Sequence, residues 1–265
     1  MSDVQSDPFV YGDSAITVEH VESSKSDDIV VLAARTSTNR GLINPKSDKK
    51  LIEFLMRHQH TSPFEMADAT YLIDCPIFIA RQVQRHRTAS YNELSRRYTD
   101  ENVQIWIPAS LRVQSSSGNI QGSNGVVDAN DLFIKAIKNE ACRNLALYTS
   151  LIEKGVAREQ ARVVLPQSTM TRFYMKMNLH NWLKFLSLRL ASDAQHEIRV
   201  LADKIFADLL RRFPRSVEAW ETTVRSQVSL SGDEISYVKR LIEEDSGPVE
   251  ISAGARIRLL ASMSE

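Results

Sequence analysis

The sequence of 265 residues has no net charge, few cysteines, few glycines and no long apolar run. Its 33 Lys and Arg balance 33 Asp and Glu, whereas a protein that coats nucleic acid is usually basic, so binding of that kind is disfavoured. Two cysteines, Cys75 and Cys142, cannot make a framework of disulfides, which favours a reducing cytosol and predicts a cytoplasmic protein. The apolar runs are too short to cross a membrane, and the polar N-terminus does not resemble a secretory signal.

The nine glycines are also placed wrongly for the common phosphate-binding loops. Neither G-x-G-x-x-G nor G-x-x-x-x-G-K-[ST] occurs, and both loops need glycine so that backbone amides can approach phosphate. Any phosphate bound by this protein must therefore be held mainly by side chains, and arginine is the side chain best suited to it. Arginine-rich segments are thus the candidates for a phosphate site.

The polar and apolar pattern predicts strands mixed with longer helices. Alternation of apolar and polar residues predicts strands at 15–21, 69–74, 103–108 and 169–177. Apolar residues at helical spacing predict helices at 26–34, 48–57, 131–154, 158–165 and 195–213, with two more starting at Pro76 and after Asn178. Ser47 is the expected cap of the second helix, 58–65 a polar loop, and 115–130 a mobile surface loop. The fold class is therefore α+β (mixed α/β), with a central sheet flanked by long helices.

Positive charge is concentrated in RQVQRHRTASYNELSRR, residues 81–97. Its five arginines accompany a single acid, Glu93, which leaves a local charge of +4 in a neutral chain. Cations this close repel one another unless an anion lies among them, so the segment predicts an anion site; a solvated basic helix face is the alternative. His86 stands between two arginines, which should lower its pKa, and a neutral histidine that contacts a ligand is expected there.

This segment resembles the flavin-dependent thymidylate synthases. Arg85-His86-Arg87, followed after seven residues by Ser95, fits the R-H-R-x7-S signature of that family, and the likeness runs on through Tyr98. Similar flanking segments follow in order, namely LIEFLMRHQHTSPFE and PIFIARQ before the motif and AREQARVVLP, NWLKFLSLRL and AQHEI after it. The resemblance covers 15–219 and implies a synthase domain there. The pattern of residues 1–14 predicts a flexible N-terminal tail, and the more acidic composition after Ser216 predicts a C-terminal extension at 220–265.

The resemblance implies an enzyme that reductively methylates dUMP to dTMP in de novo dTMP synthesis. Methylene-tetrahydrofolate would donate the carbon, FAD would carry the hydride and NADPH would be the reductant. The implied assembly is a homotetramer with active sites shared between subunits. Its partners would be small molecules, with no nucleic acid and no membrane. Because several of these ligands carry phosphate groups, they would account for the many arginines in a chain without a glycine-rich loop.

The resemblance also implies which residues bind each ligand. Those implied to bind dUMP are Gln82, Val83, Gln84, Arg85, Glu93, Leu94, Ser95, Arg96, Arg97, Arg162 and Arg189. Those implied to contact FAD are His60, Ser62, Arg85, His86, Arg87, Glu93, Asn178, Leu179, His180 and Lys184. Arg189 and Ser95 are the implied catalytic residues. Arg189 would stabilise negative charge on the uracil, whereas Ser95 has no histidine partner at a fixed spacing and is expected to position dUMP.

Two positions depart from the family's pattern, and two other functions stay open. Lys184 stands where the family often has Asn or His, and Asp193 where some relatives have His.

No metal site is expected, because His58 and His60 are two residues apart and neither H-E-x-x-H nor C-x-x-C occurs. The arginine segment would also suit a protein that binds RNA or nucleotides without catalysis. A protein of the same fold that binds dUMP without turnover is the third possibility.

Overall fold

A computed structural model describes residues 7–115 and 123–227, together with Gly232 and Ile235. The strands are β1 (Phe9–Tyr11), β2 (Thr17–Ser23), β3 (Asp68–Pro76), β4 (Ser90–Glu93), β5 (Ile105–Ile107), β6 (Arg112–Gln114), β7 (Ser123–Val126) and β8 (Met170–Asn178). The helices are α1 (Asp28–Arg35), α2 (Pro45–Arg57), α3 (Ser62–Glu65), α4 (Ile77–Val83), α5 (Asn130–Glu153), α6 (Arg158–Ala161), α7 (Leu179–Arg189), α8 (His196–Arg212) and α9 (Pro214–Trp220). The mixed fold class predicted from the sequence is confirmed.

The largest sheet has four antiparallel strands in the order β2-β3-β8-β4. Along β3 every second side chain is buried, which is the period of a strand with one covered face. Tyr71 on this strand lies opposite Met175 of β8, and both are buried. β4 pairs with the other edge of β8, which brings the end of the arginine segment onto the sheet.

Helices α7, α8 and α9 supply much of the core beside this sheet. Trp182 of α7 is fully buried, and its indole N–H donates to the backbone carbonyl of Ala69 at 3.0 Å. The Tyr71 ring packs edge-on against the same indole, with 5.1 Å between ring centroids. The face of α7 that carries Trp182 is thereby held against β3, which determines where both ends of the helix lie.

The chain ends differ from the predicted domain limits. β1 pairs in parallel with β5, and Gly12 N–H donates to the Ile107 carbonyl at 3.0 Å, so residues 9–12 belong to the fold and not to a flexible tail. Residues 1–6 of that tail lie outside the described residues. Trp220, the first residue of the predicted C-terminal extension, is only 2% exposed and packs in the main core. The extension beyond residue 227 lies outside the described residues, apart from Gly232 and Ile235.

Several local predictions are corrected by hydrogen bonds that the pattern does not reveal. α2 begins earlier than predicted, and its cap is Asn44, whose side chain accepts from Ser47 N–H at 2.9 Å, so Ser47 itself is not the cap. The predicted polar loop at 58–65 contains the short helix α3. Within the predicted loop at 115–130, β7 pairs with β6, and residues 116–122 lie outside the described residues. Within the described residues, no helix is long and apolar enough to cross a membrane.

Candidate active site

The arginine segment is held in place at the end of α4. Pro76 ends β3 and occupies the N-cap position of α4, so the helix begins one residue later than predicted and follows the strand without a loop. Val83 closes the helix with its side chain fully buried. The Tyr91 hydroxyl of β4 lies 3.0 Å from the backbone carbonyl oxygens of both Val83 and His86. The loop that carries the R-H-R motif is therefore tied to both α4 and the sheet.

Arg189, the last residue of α7, contacts this loop directly. Its Nε–H donates to His86 Nε2 at 3.0 Å, and its Nη2 donates to the Gln82 backbone carbonyl at 3.1 Å. A guanidinium can only donate, so His86 Nε2 must be the acceptor and the ring proton lies on Nδ1. Burial, together with the cations Arg189 and Lys184, lowers the pKa of His86 to about 4. The histidine is therefore neutral near pH 7, as expected, but the causes are burial and the distant Arg189 and Lys184 and not the two arginines beside it in the sequence.

Cations surround His86. Arg85 and Lys184 are exposed and Arg189 is half-buried, and we call these three residues the cation cluster. Burial and the neighbouring Arg85 lower the pKa of Arg189. Arg189 and Lys184 in turn lower the pKa of His86. Within the part of the chain that the structure describes, none of the three pairs with a carboxylate. Unbalanced positive charge at a half-buried position attracts an anionic ligand.

Glu93 connects the arginine segment to the sheet. It ends β4, where it lies opposite Phe173 of β8. One carboxylate oxygen accepts from the Thr171 hydroxyl at 2.6 Å, and the other accepts from Gln84 Nε2 at 2.8 Å. The carboxylate is thus held between β8 and the end of α4 by bonds to both oxygens.

A cleft of about 360 Å³ opens where the chain leaves β4, and we call it the Ser95 cleft. It is lined by Ile77, Glu93, Leu94, Ser95, Arg96, Arg162, Leu165, Thr169, Met170 and Thr171. Five of these were predicted to bind dUMP, namely Glu93, Leu94, Ser95, Arg96 and Arg162. The Ser95 hydroxyl oxygen accepts from Arg97 N–H at 3.3 Å, which orients it without activating it as a nucleophile.

The two arginines after Ser95 have different surroundings. Arg96 is buried, and its guanidinium donates to the backbone carbonyls of Glu101 at 2.6 Å and Asn102 at 3.2 Å. These bonds engage two of the five N–H groups of Arg96 and hold the loop after the arginine segment, whereas its buried Nε has no partner among the described residues. Arg97 is exposed, and its Nη2 lies 3.5 Å from Glu159, a loose pair that an oxyanion can replace.

The residues predicted to contact FAD fall into two groups, one at the beginning of α7 and one near His86 at its end. His60 and Ser62 are exposed, in the loop before α3 and at its start, and α3 packs against α7. Asn178 caps α7 as predicted, with its side chain accepting from Asn181 N–H at 2.9 Å. Leu179 is buried at the first position of that helix. The beginning of α7 lies about 15 Å from its end, where Arg189 meets His86, because an α-helix rises 1.5 Å per residue.

The kinship of the chain follows from its matches to known proteins. The family described as "Thymidylate synthase complementing protein" matches residues 19–215, which is more than half of the chain. A flavin-dependent thymidylate synthase from Thermus thermophilus is 39% identical over 226 residues, covering 85% of this chain and 83% of that relative. The chain belongs to the flavin-dependent thymidylate synthase family. The resemblance seen in the sequence is confirmed.

Other members and a solved structure agree with this placement. The flavin-dependent thymidylate synthase of Anaplasma marginale is 37% identical over 244 residues, covering 90% of this chain and 83% of that protein. The crystal structure of the UMP/dUMP methylase PolB from Streptomyces cacaoi, bound with 5-Br dUMP, superposes with a TM-score of 0.74 at 36% identity. The superposition covers 79% of this chain and 96% of PolB. The chain thus shares both sequence and fold with the flavin-dependent thymidylate synthase family.

Tertiary structure also adds residues to this family member's candidate site that the sequence did not single out. Thr171 reaches Glu93 only because β4 and β8 are neighbours in the sheet. Gln195 and Glu197 lie at the start of α8 and bond to each other at 2.8 Å. Both occur in the AQHEI segment, whose similarity to the family was the available signal.

Proposed function

We propose that the protein is a flavin-dependent thymidylate synthase that converts dUMP to dTMP. Methylene-tetrahydrofolate donates the carbon and NADPH the reducing equivalents, in a cytoplasmic pathway of de novo dTMP synthesis. The observation that carries this proposal is the bond from Arg189 to neutral His86 inside a cation cluster that has no carboxylate partner among the described residues. Such a group suits a nucleotide monophosphate and an enzyme that stabilises negative charge.

The dUMP site comprises the end of α4, the Ser95 cleft and the end of α7. Its residues are Gln82, Val83, Gln84, Arg85, Glu93, Leu94, Ser95, Arg96, Arg97, Arg162 and Arg189. Arg97 and Arg162 are exposed beside the cleft and hold phosphate oxygens through guanidinium forks. Ser95 positions the nucleotide, and the free N–H groups of Arg189 stabilise negative charge that develops on the uracil ring.

The described residues fit FAD as the cofactor. Its pyrophosphate needs positive charge, and the exposed cations Arg85, Arg87 and Lys184 provide it. The other proposed contacts are His60, Ser62, His86, Glu93, Asn178, Leu179 and His180. When bound, FAD supplies the hydride that completes the methyl group. The protein's own task is to orient both ligands and to keep His86 neutral as an acceptor for Arg189.

The active enzyme is a homotetramer in which neighbouring chains complete each site. The proposed FAD contacts in one chain extend along α7, from Asn178 past Lys184 to the end that lies beside His86, about 15 Å away, and a neighbouring chain would complete the site around them. The long helix α5 supports association, since Leu132, Phe133 and Leu147 on it are 66%, 50% and 48% exposed. Sedimentation at the mass of four chains would support this assembly, and a monomer that retains full activity would contradict it.

Absorbance of the purified protein tests the function. The protein should be yellow, lose its flavin absorbance when NADPH is added without oxygen, and recover it when dUMP and methylene-tetrahydrofolate follow. Deuterium placed on the reduced flavin should appear in the methyl group of dTMP. A protein that binds dUMP but shows no dUMP-dependent reoxidation would be a binder without turnover. A colourless protein whose RNA affinity falls steeply with salt would favour the nucleic-acid alternative.

A further inference from the structure

A continuous series of hydrogen bonds runs from β6 to the proposed dUMP site. Arg112 Nη2 donates to Glu197 Oε1 at 2.6 Å, and Gln195 Nε2 donates to Glu197 Oε2 at 2.8 Å. Gln195 Oε1 in turn accepts from Gln82 Nε2. The Gln82 backbone carbonyl accepts from Arg189 at 3.1 Å, so this series ends beside the guanidinium proposed to act on the uracil.

The direction of each bond follows from the charge of Glu197. Its side chain is buried, which alone would raise its pKa, but hydrogen bonds from Arg112, from its own backbone and from Gln195 outweigh burial and lower the pKa. An ionised carboxylate accepts and cannot donate, so the amide of Gln195 must turn its NH2 group towards Glu197. The Gln195 oxygen then faces Gln82 and requires an N–H from it.

This direction determines what Gln82 can offer to a ligand. Because its NH2 group is turned to Gln195, its carbonyl oxygen is left to accept a hydrogen bond. Arg189 lies directly alongside, and of its five N–H groups one is bound to His86 and one to the Gln82 backbone. Three N–H groups of Arg189 and the side-chain oxygen of Gln82 are thus left for a ligand, and the bond from Arg189 to the Gln82 backbone holds the two residues together.

A donor beside an acceptor discriminates between pyrimidines. Uracil presents the N3–H donor between two carbonyl acceptors, so it can give N3–H to Gln82 and receive a bond from Arg189 at a carbonyl. Cytosine has an unprotonated N3, which is an acceptor. In the same position it would face the Gln82 oxygen, and neither of these two acceptors would have a donor. A mismatch of this kind disfavours the wrong ligand more strongly than the loss of apolar contact does.

We propose that Gln195 and Glu197 are positioning residues that fix the amide orientation of Gln82 and thereby make the site select uracil over cytosine. The inference rests on the proposed function, because it takes dUMP as the ligand beside Gln82. It assigns to Gln195 and Glu197 a role in substrate choice without contact to the substrate. Neither residue is required to bind the phosphate.

Calorimetric binding of dUMP and dCMP to the FAD-loaded enzyme tests the inference. In Gln195→Met the Gln82 amide is free to rotate, and the ratio of the dCMP to the dUMP dissociation constant should fall about fivefold to tenfold, the size of one neutral hydrogen bond. Glu197→Gln should lower the ratio as well, because a neutral amide at 197 can donate to Gln195 and permit the opposite orientation. Asp13→Asn is the matched control, since it neutralises the carboxylate that pairs with His196 at the same helix end and should preserve the ratio.

Each outcome either supports or overturns the positioning role of Gln195 and Glu197. A wild-type ratio in a Gln195→Met variant that melts like the wild type would overturn the positioning role while leaving dUMP binding intact. Equal weakening of both nucleotides would also overturn it, because a purely structural residue has that effect. If Glu197→Gln does not fold, the result for the exposed Gln195 decides. If the wild-type protein binds neither nucleotide, the proposed function falls together with the inference.

Discussion

The Nε–H of Arg189 donates to Nε2 of His86 at 3.0 Å, across 103 positions of the sequence. The bond joins the end of α7 to the loop after α4, and it requires the neutral form of the histidine. Phe185, one turn before Arg189, packs against the imidazole with 4.7 Å between ring centroids. The hydrogen bond and the lowered pKa of His86 therefore indicate the same state of this pair, a neutral histidine that accepts from a cationic arginine.

The pH dependence of stability should report this state of His86. The pKa of His86 is about 4 in the folded protein and 6.5 ordinarily, so between those values the unfolded chain takes up a proton that the folded chain does not. His86 therefore contributes a loss of stability as the pH falls from about 6.5 to about 4. His86→Gln keeps an acceptor for Arg189 but does not titrate. In urea unfolding at a fixed protein concentration, the stability of the wild type relative to this variant should rise between pH 4 and 6.5 and level off above. A difference that does not change with pH would contradict the lowered pKa.

Removal of the Arg189 side chain should abolish most turnover and leave FAD bound. Arg189→Ala removes the proposed stabilisation of charge on the uracil, and loss of one such donor group costs about 100-fold or more in kcat. Flavin absorbance after gel filtration measures cofactor retention, and steady-state dTMP formation measures turnover. Arg211→Ala is the control, because Arg211 is largely exposed and its ion pair among the described residues is with Asp208, three residues earlier on α8. An unchanged kcat in Arg189→Ala would refute the activating role.

Arg97→Lys should weaken dUMP binding. A lysine keeps the charge but loses the fork that binds two oxyanion oxygens, so the binding free energy should drop by about 1–3 kcal/mol. The existing partner, Glu159, is 3.5 Å away and exposed, so loss of that pair contributes little. Calorimetry with dUMP measures the change, and Arg143→Lys on the exposed surface of α5 serves as the comparison. Equal affinity in both variants would remove Arg97 from the proposed phosphate site.

Asp27→Ala should destabilise the fold by about 3 kcal/mol or more, since it leaves buried donors without an acceptor. The carboxylate is 1% exposed and accepts from the backbone N–H groups of Arg215 at 2.9 Å and Ser216 at 3.0 Å, which joins the start of α1 to the start of α9. Asp28→Ala removes a more exposed pair with Arg215 and should cost at most about 1 kcal/mol. Urea unfolding compares the two variants. Similar small losses would show that the buried carboxylate does not join the helices as described.

Short-range patterns were enough to predict much of the fold. The alternation in β3 and β8 and the side-chain cap at Asn178 are confirmed, because each depends on residues close together in the sequence. The sequence predicts Ser47 as the cap of α2, but the cap is Asn44, because both residues have suitable side chains and only the backbone path distinguishes them. The order of strands was not predictable, and neither was the contact between Glu93 and Thr171 that depends on it.

The sequence by itself determined the chemical inventory of this protein: a dense arginine segment without a glycine-rich loop, a histidine between two arginines, and a motif that resembles the family to which the chain belongs. Only the tertiary structure decided how these groups are used. In the folded protein Arg96 donates to two backbone carbonyls, Arg97 is exposed, and Arg189 donates to His86. Residue types and spacing are local properties of the chain, whereas these contacts depend on strand register and on the packing of α7 against the sheet, which arise from many distant residues together.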